Sequence, residues 1–241
     1  MNANKKTARI AGVLFIIATA ASILSLPFLG SIDASNYLVS VSANGNQVIT
    51  GAFLLFIAAG AAASIAISLY PVLKKYNQGL ALGAVGFRLI EGVLDVVAVI
   101  ALLLLVTLSQ EFVKAGAPDS SYFQTLGVLV LAGYHFVGNV GSLMIFSLGA
   151  LMYYYIFYQT KLVPRWLSIW GLVGASLCFV AGSLVMFVLI GPLSTSQVVL
   201  ALPLAVQEMA LAAWLIVKGF NPSAIASGSE IMQPPLQSRS V

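Results

Sequence analysis

Long apolar stretches alternate with short polar turns along this chain, at residues 10–30, 48–70, 80–108, 125–155, 166–190 and 198–217. Each reaches the roughly 20 residues that an α-helix needs to cross the hydrocarbon of a bilayer. The pattern predicts an all-α fold: a polytopic membrane protein, a six-transmembrane-helix bundle forming one domain over residues 1–220. The first stretch follows Lys5, Lys6 and Arg9, as the core of a secretion signal would. It is longer than the usual signal core of about 7–15 residues, so it is expected to stay as the first helix. From Asn221 onward the chain is rich in Ser and Pro and has no helical period, which predicts a disordered cytoplasmic tail over 221–241.

Small residues within these stretches suggest where helices meet. Gly60, Ser64 and Ser68 recur at helical spacing in the second span, and Gly174, Cys178 and Gly182 do so in the fifth. Such ridges let two backbones come close. On this reading the single cysteine, Cys178, is a packing residue.

Composition supports the membrane class. Of 241 residues, 60% are hydrophobic and only 7% charged. A soluble domain carries about 25% charged residues, so no soluble fold of this size hides so much apolar surface. One cysteine excludes an intramolecular disulfide and a cysteine-based metal cluster. Nucleotide-binding loops, zinc-protease motifs and nucleophile elbows are absent from the sequence. The isoelectric point near 9.2 would suit nucleic acid, but the positions of the basic residues fit membrane topology instead.

Those positions set an orientation. Lys5, Lys6, Arg9, Lys74, Lys75, Lys161, Arg165, Lys218 and Arg239 fall on the side of the N-terminus. Lys114 falls on the other side, and Arg88 falls within a span. Basic loops stay in the cytoplasm, so both termini are expected there, N-in and C-in. Tyr70, Tyr76, Tyr153, Tyr154, Tyr155, Tyr158, Trp166, Trp170 and Trp214 cluster at the same boundary and are expected to be interfacial anchors.

The third span carries the chemistry, in the stretch RLIEGVLD from Arg88 to Asp95. At about 100° per residue, Arg88, Glu91 and Asp95 lie within roughly 60° of each other, so they form one polar stripe. Ala84 and Gly92 share that stripe and admit a neighbouring helix. A charge at this depth costs roughly 2.5–3.5 kcal/mol, so the stripe must face the interior and find partners. In the fourth span His135, Asn139 and Ser142 share a face under the same periodicity. The sixth span places Gln207 and Glu208 at its middle, after Pro203. Measured from the span ends, Asp95, Asn139 and Glu208 reach one plane, with Glu91 and His135 within about a turn of it.

If the three helices meet, one guanidinium faces three carboxyls. Such an excess is not held in a low-dielectric interior unless carboxyls are protonated, His135 takes a proton, or a cation binds. The residues Arg88, Glu91, Asp95, His135, Asn139 and Glu208 are therefore the candidate binding set. The leading reading is a small-solute permease or binding protein whose centre responds to protons or cations. Interhelical glue is the plain alternative, in which the cluster holds the bundle together in a structural or regulatory protein. An intramembrane enzyme acting on a lipid-like substrate is a further reading, with Glu91 or Glu208 as base and His135 as acid or ligand. His135 with the carboxyls would suit zinc chemically, but no helix shows a strong metal spacing, so no metal and no cofactor are expected. The expected partners are the bilayer, protons, a cation or a small solute, and no nucleic acid.

Several of these motifs occur together in a known family. Arg88 with Glu91, the turn Val-Pro-Arg-Trp-Leu-Ser at Val163–Ser168, the mid-helix Glu208 and the closing WLIVKGF at Trp214–Phe220 stand in a particular order and spacing. Over about residues 8–220 the chain resembles an uncharacterised bacterial six-span family, domain of unknown function forty-three eighty-six. The resemblance implies a multi-pass protein of the bacterial cytoplasmic membrane. It implies no activity.

Overall fold

The computed structural model describes residues 3–117 and 122–231, with side chains from residue 4 to residue 226. The elements run α1 (Ala3–Leu29), a 3₁₀ turn (Gly30–Asp33), α2 (Tyr37–Ala43), α3 (Gly45–Leu73) and α4 (Gln78–Lys114). There follow α5 (Tyr122–Phe136), a π turn (Val137–Ser142), α6 (Leu143–Thr160), α7 (Arg165–Met186), α8 (Thr195–Val217) and α9 (Pro222–Ile231). No strand occurs among the described residues. Among the described residues six helical stretches are long and apolar enough to cross a membrane, as expected, with α5, the π turn and α6 forming one of them.

The helices close on themselves. Each span packs against the next along the chain, and α1 also packs against α8. Glycine sets several of these approaches. A Cβ at Gly12 would lie 2.8 Å from the Ala212 carbonyl oxygen, and one at Gly174 would lie 3.0 Å from the Leu204 Cα. Gly174, Cys178 and Gly182 are all buried, so this ridge packs as the sequence suggests. The other ridge does not. Gly60 is exposed with nothing within 4 Å of its missing Cβ, and α3 instead buries Ala58, Ala59, Ala61, Ala62 and Ile65. Alanine packs a helix closely too, and periodicity alone does not say which of two small-residue faces turns inward.

Two apolar cores stack along the bundle. The larger gathers Phe15, Leu69, Tyr153, Tyr154, Phe157 and Leu215; the smaller gathers Leu29, Val41, Val48, Val99, Leu102 and Val106. The outer surface is apolar as well, with Ile23, Phe53, Val93 and Val199 all exposed. A helix that is hydrophobic all round belongs in lipid.

The ends of the helices hold the differences from expectation. Tyr153 and Tyr154 are fully buried core residues, whereas Tyr155, Tyr158 and Trp166 are exposed as anchors should be. Three consecutive tyrosines on a helix point in three directions, so one boundary position cannot suit all of them. The fifth helix stops at Met186 rather than 190, because Val188 turns left-handed (φ 57°) and the Leu189 and Ile190 amides fold back onto the Leu184 carbonyl. The start of the stretch expected to be disordered is helical over Pro222–Ile231. There Ala224 is buried, and its carbonyl accepts a 2.8 Å hydrogen bond from the Tyr76 hydroxyl. Burial pushes the Tyr76 phenol above its ordinary pKa, which keeps it a donor. The remainder of that stretch, 232–241, lies outside the described residues.

One buried polar bridge ties three helices together. Gln207, fully buried on α8, accepts a hydrogen bond from the Tyr154 hydroxyl and donates to the Leu167 carbonyl at 2.9 Å. Gln207→Leu removes both contacts while keeping volume. Interhelical hydrogen bonds in membranes average only about 0.6 kcal/mol, so chemical unfolding in bicelles should show a loss of about 1–2 kcal/mol for the pair. A neutral result would make Gln207 an ordinary packing residue.

Candidate functional site

Between the two cores, α4 carries its charged stretch. Arg88 and Glu91 are 2% and 6% exposed, and the guanidinium Nη1 lies 3.0 Å from Glu91 Oε2. Of the two carboxyls on its stripe the guanidinium takes the one three residues away, so the pair stays on one helix. Arg88 reaches further. Its Nε and Nη2 donate to the Ala62 carbonyl of α3 at 3.2 and 3.1 Å, and its plane lies 4.8 Å from the Phe146 ring of α6. Gly149, one turn beyond Phe146, packs directly on Phe87 and Arg88, and this brings α6 close enough for that contact. A planar cation with five donors suits such a junction, where a lysine would reach one partner.

Glu208 joins from α8. The Arg88 charge acts on Glu91, Asp95 and Glu208 alike. The Tyr153 hydroxyl faces the Glu208 carboxyl, yet Tyr153 Oη and Glu208 Oε1 are both buried without a well-aligned hydrogen bond. Arg88 Nη1 and Glu91 Oε2 also keep unused bonding capacity, since their contact is an ion pair outside hydrogen-bond alignment. Buried polar atoms are rarely left unsatisfied, so four in one cluster mark a centre with room for a further partner.

Asp95 stands apart from this buried group. Its Oδ1 accepts a 2.6 Å hydrogen bond from Ser142, the last residue of the π turn. Asp95 is only partly buried, and it lines a cavity of about 240 Å3 with Ser22, Ser25, Tyr134, Gly138 and Asn139. Of the three intramembrane carboxyls, it is the one that lines this cavity.

His135 is not brought to the carboxyls, and Asn139 reaches only the cavity that Asp95 lines. The Asn139 side chain folds back to donate to the His135 carbonyl at 3.0 Å, and the Asn139 carbonyl accepts from Gln197. His135 is half-buried against the Tyr134 ring, its Nδ1 unpaired, and the acidic charge acting on it is that of Asp33. The cause is the π turn, whose wider winding adds one residue and rotates the helix before it by about 100° relative to the helix after it. Ser142 keeps the α4-facing position, while His135 loses it. Among the described residues, no three of His, Cys, Asp and Glu converge as a metal site. Tyr153, Ser142 and Phe146 complete the centre in place of the imidazole. Ser142 was visible in the sequence by its spacing, but nothing there distinguishes Tyr153 from its tyrosine neighbours.

Six apolar helices around a buried Arg–Glu pair define a multi-pass membrane protein. The chain belongs to the family described as Domain of unknown function (DUF4386), whose model matches residues 10–219. Comparison with curated proteins and with solved structures returned no match.

Proposed function

We propose that this protein is a small-solute permease or binding protein whose intramembrane centre responds to protons or cations. Asp95 supports the reading most directly: a partly buried carboxylate that lines a cavity and lies within the field of the buried Arg88. One guanidinium stands against Glu91, Asp95 and Glu208, so the group as a whole favours an added positive charge. Arg88 holds the carboxylates in place. Asp95 receives the proton, cation or cationic solute from the cavity, and Glu91 and Glu208 adjust their protonation to match. Intramembrane ionisable residues mark pathways and relays by default. We further propose that the end bearing the basic loops is cytoplasmic and that the host membrane is a bacterial cytoplasmic membrane.

The test is thermal unfolding of the purified protein in nanodiscs, scanned over pH and a panel of mono- and divalent cations. A ligand of the folded state stabilises it by mass action, by about 2.7 kcal/mol at a hundredfold excess over its dissociation constant, and so raises the midpoint. A rise in wild type that disappears in Asp95→Asn and weakens in Glu91→Gln and Glu208→Gln is expected. It then directs flux assays in liposomes to the ion identified. A flat wild-type profile, with the variants merely less stable, would reduce the cluster to interhelical glue. Turnover of a lipid panel that is lost in Glu208→Gln would replace transport with catalysis.

A further inference from the structure

At the end of the bundle opposite the Asp95 cavity, the α6–α7 and α8–α9 turns enclose a cleft of about 620 Å3. Lys161, Arg165 and Lys218 line it with Trp214, and no carboxylate does so among the described residues. A smaller space of about 260 Å3 shares Lys218 and adds Lys5 and Asn4. Four cations from three segments of the chain thus converge on two adjoining hollows. Of the seven acidic residues, only Glu230 lies near this end of the sequence pattern.

The walls are fixed in place. The Asn221 amide donates to the Leu162 carbonyl at 2.9 Å, and its side chain reaches the Lys161 carbonyl at 3.4 Å. Lys161 and Gly219 both take left-handed backbone, at φ 55° and 74°, so the two turns are tight. The Tyr76 hydroxyl anchors α9 through Ala224. Arg165 lies over the Tyr158 ring at 5.6 Å, which orients its guanidinium at the first turn of α7. That helix starts at Arg165 after Pro164, with no side-chain cap, so its leading amides add partial positive charge.

The cleft also sits at a membrane boundary. Val217, beside Lys218, is 69% exposed, and Trp166, beside Arg165, is 56% exposed. Exposed apolar and indole surface next to cations is what acyl chains and headgroups meet at an interface. We propose that this cleft binds the phosphate of an anionic phospholipid, with its acyl chains lying against the outer face of α7 and α8. Basic pockets between transmembrane helices recognise such headgroups by charge, and arginine adds a bidentate fit to phosphate oxygens.

The experiment titrates the detergent-purified chain with short-chain phosphatidylglycerol, short-chain phosphatidylcholine and inorganic phosphate. Bound lipid is counted by native mass spectrometry and the unfolding midpoint is followed in parallel. The cleft variant is Lys161→Gln/Arg165→Gln/Lys218→Gln. Lys6→Gln/Lys74→Gln/Lys75→Gln removes the same charge from the same end without touching the cleft. Phosphatidylglycerol should bind in preference to phosphatidylcholine, more weakly by tenfold or more in the cleft variant and by less than about threefold in the control. Equal loss in both variants means diffuse attraction and overturns the site. Full competition by inorganic phosphate overturns the lipid assignment in favour of a free anion. All three cleft cations are exposed, so the variant should fold. If its lipid-free midpoint falls, Lys218→Gln alone carries the same comparison.

Discussion

Replacing Arg88 with methionine is expected to lower the unfolding free energy in bicelles or nanodiscs by about 3–5 kcal/mol. The guanidinium holds together α3 through Ala62, α6 through Phe146 and its own helix through Glu91. Its loss leaves Glu91 buried without its counter-charge and leaves Asp95 and Glu208 without the cation that acts on them. Glu91→Gln should cost less, below about 2 kcal/mol, because Arg88 keeps its carbonyl, its aromatic face and the other two carboxyls. The double variant Arg88→Met/Glu91→Gln should recover much of the loss, since no unpaired carboxylate then remains at position 91. This cycle measures the coupling directly. If the two single variants cost the same, Arg88 is one half of a pair and not the hub of the centre.

The next largest effect belongs to Gly171→Ala. A Cβ there overlaps the Tyr154 ring, which is fully buried and packed against Tyr153 and Phe157. The ring has nowhere to move, so α6 and α7 must separate. A destabilisation of about 1–3 kcal/mol is expected in the same unfolding assay. Gly60→Ala should stay within about 0.5 kcal/mol of wild type, because its added methyl meets open space. Equal effects at the two glycines would mean that the α6–α7 contact is loose.

These two positions show what was legible in the sequence. The fold class followed from the apolar run lengths, since few structures can satisfy a backbone in lipid. Spacing put Arg88, Glu91 and Asp95 on one face of one helix whatever surrounds it, and left open which carboxyl the guanidinium takes. Which ridge packs is a different kind of question. Gly60 and Gly174 have the same local pattern, and only the neighbouring helix decides between them. Tyr153 and Glu208 are brought face to face by two helices, so no single stretch of sequence contains that contact. His135 was placed by the right rule applied to a helix that is not α throughout. A π turn has no strong composition signal, and the glycines at 138 and 141 were the only local trace of it.

That turn also sets the register of the fourth span. Residues 137–142 hold one residue more than an α-helix would use to cover the same length. Winding the same residues as plain α-helix, with none removed, would swing the half of the span before them by about 100°, whereas deleting one residue would straighten the turn and leave that half facing as it does. In that plain α-helical winding His135 would lie above Ser142, facing Asp95. The π turn therefore decides which carboxylate the chain's single imidazole meets, Asp33 as the span is wound rather than Asp95.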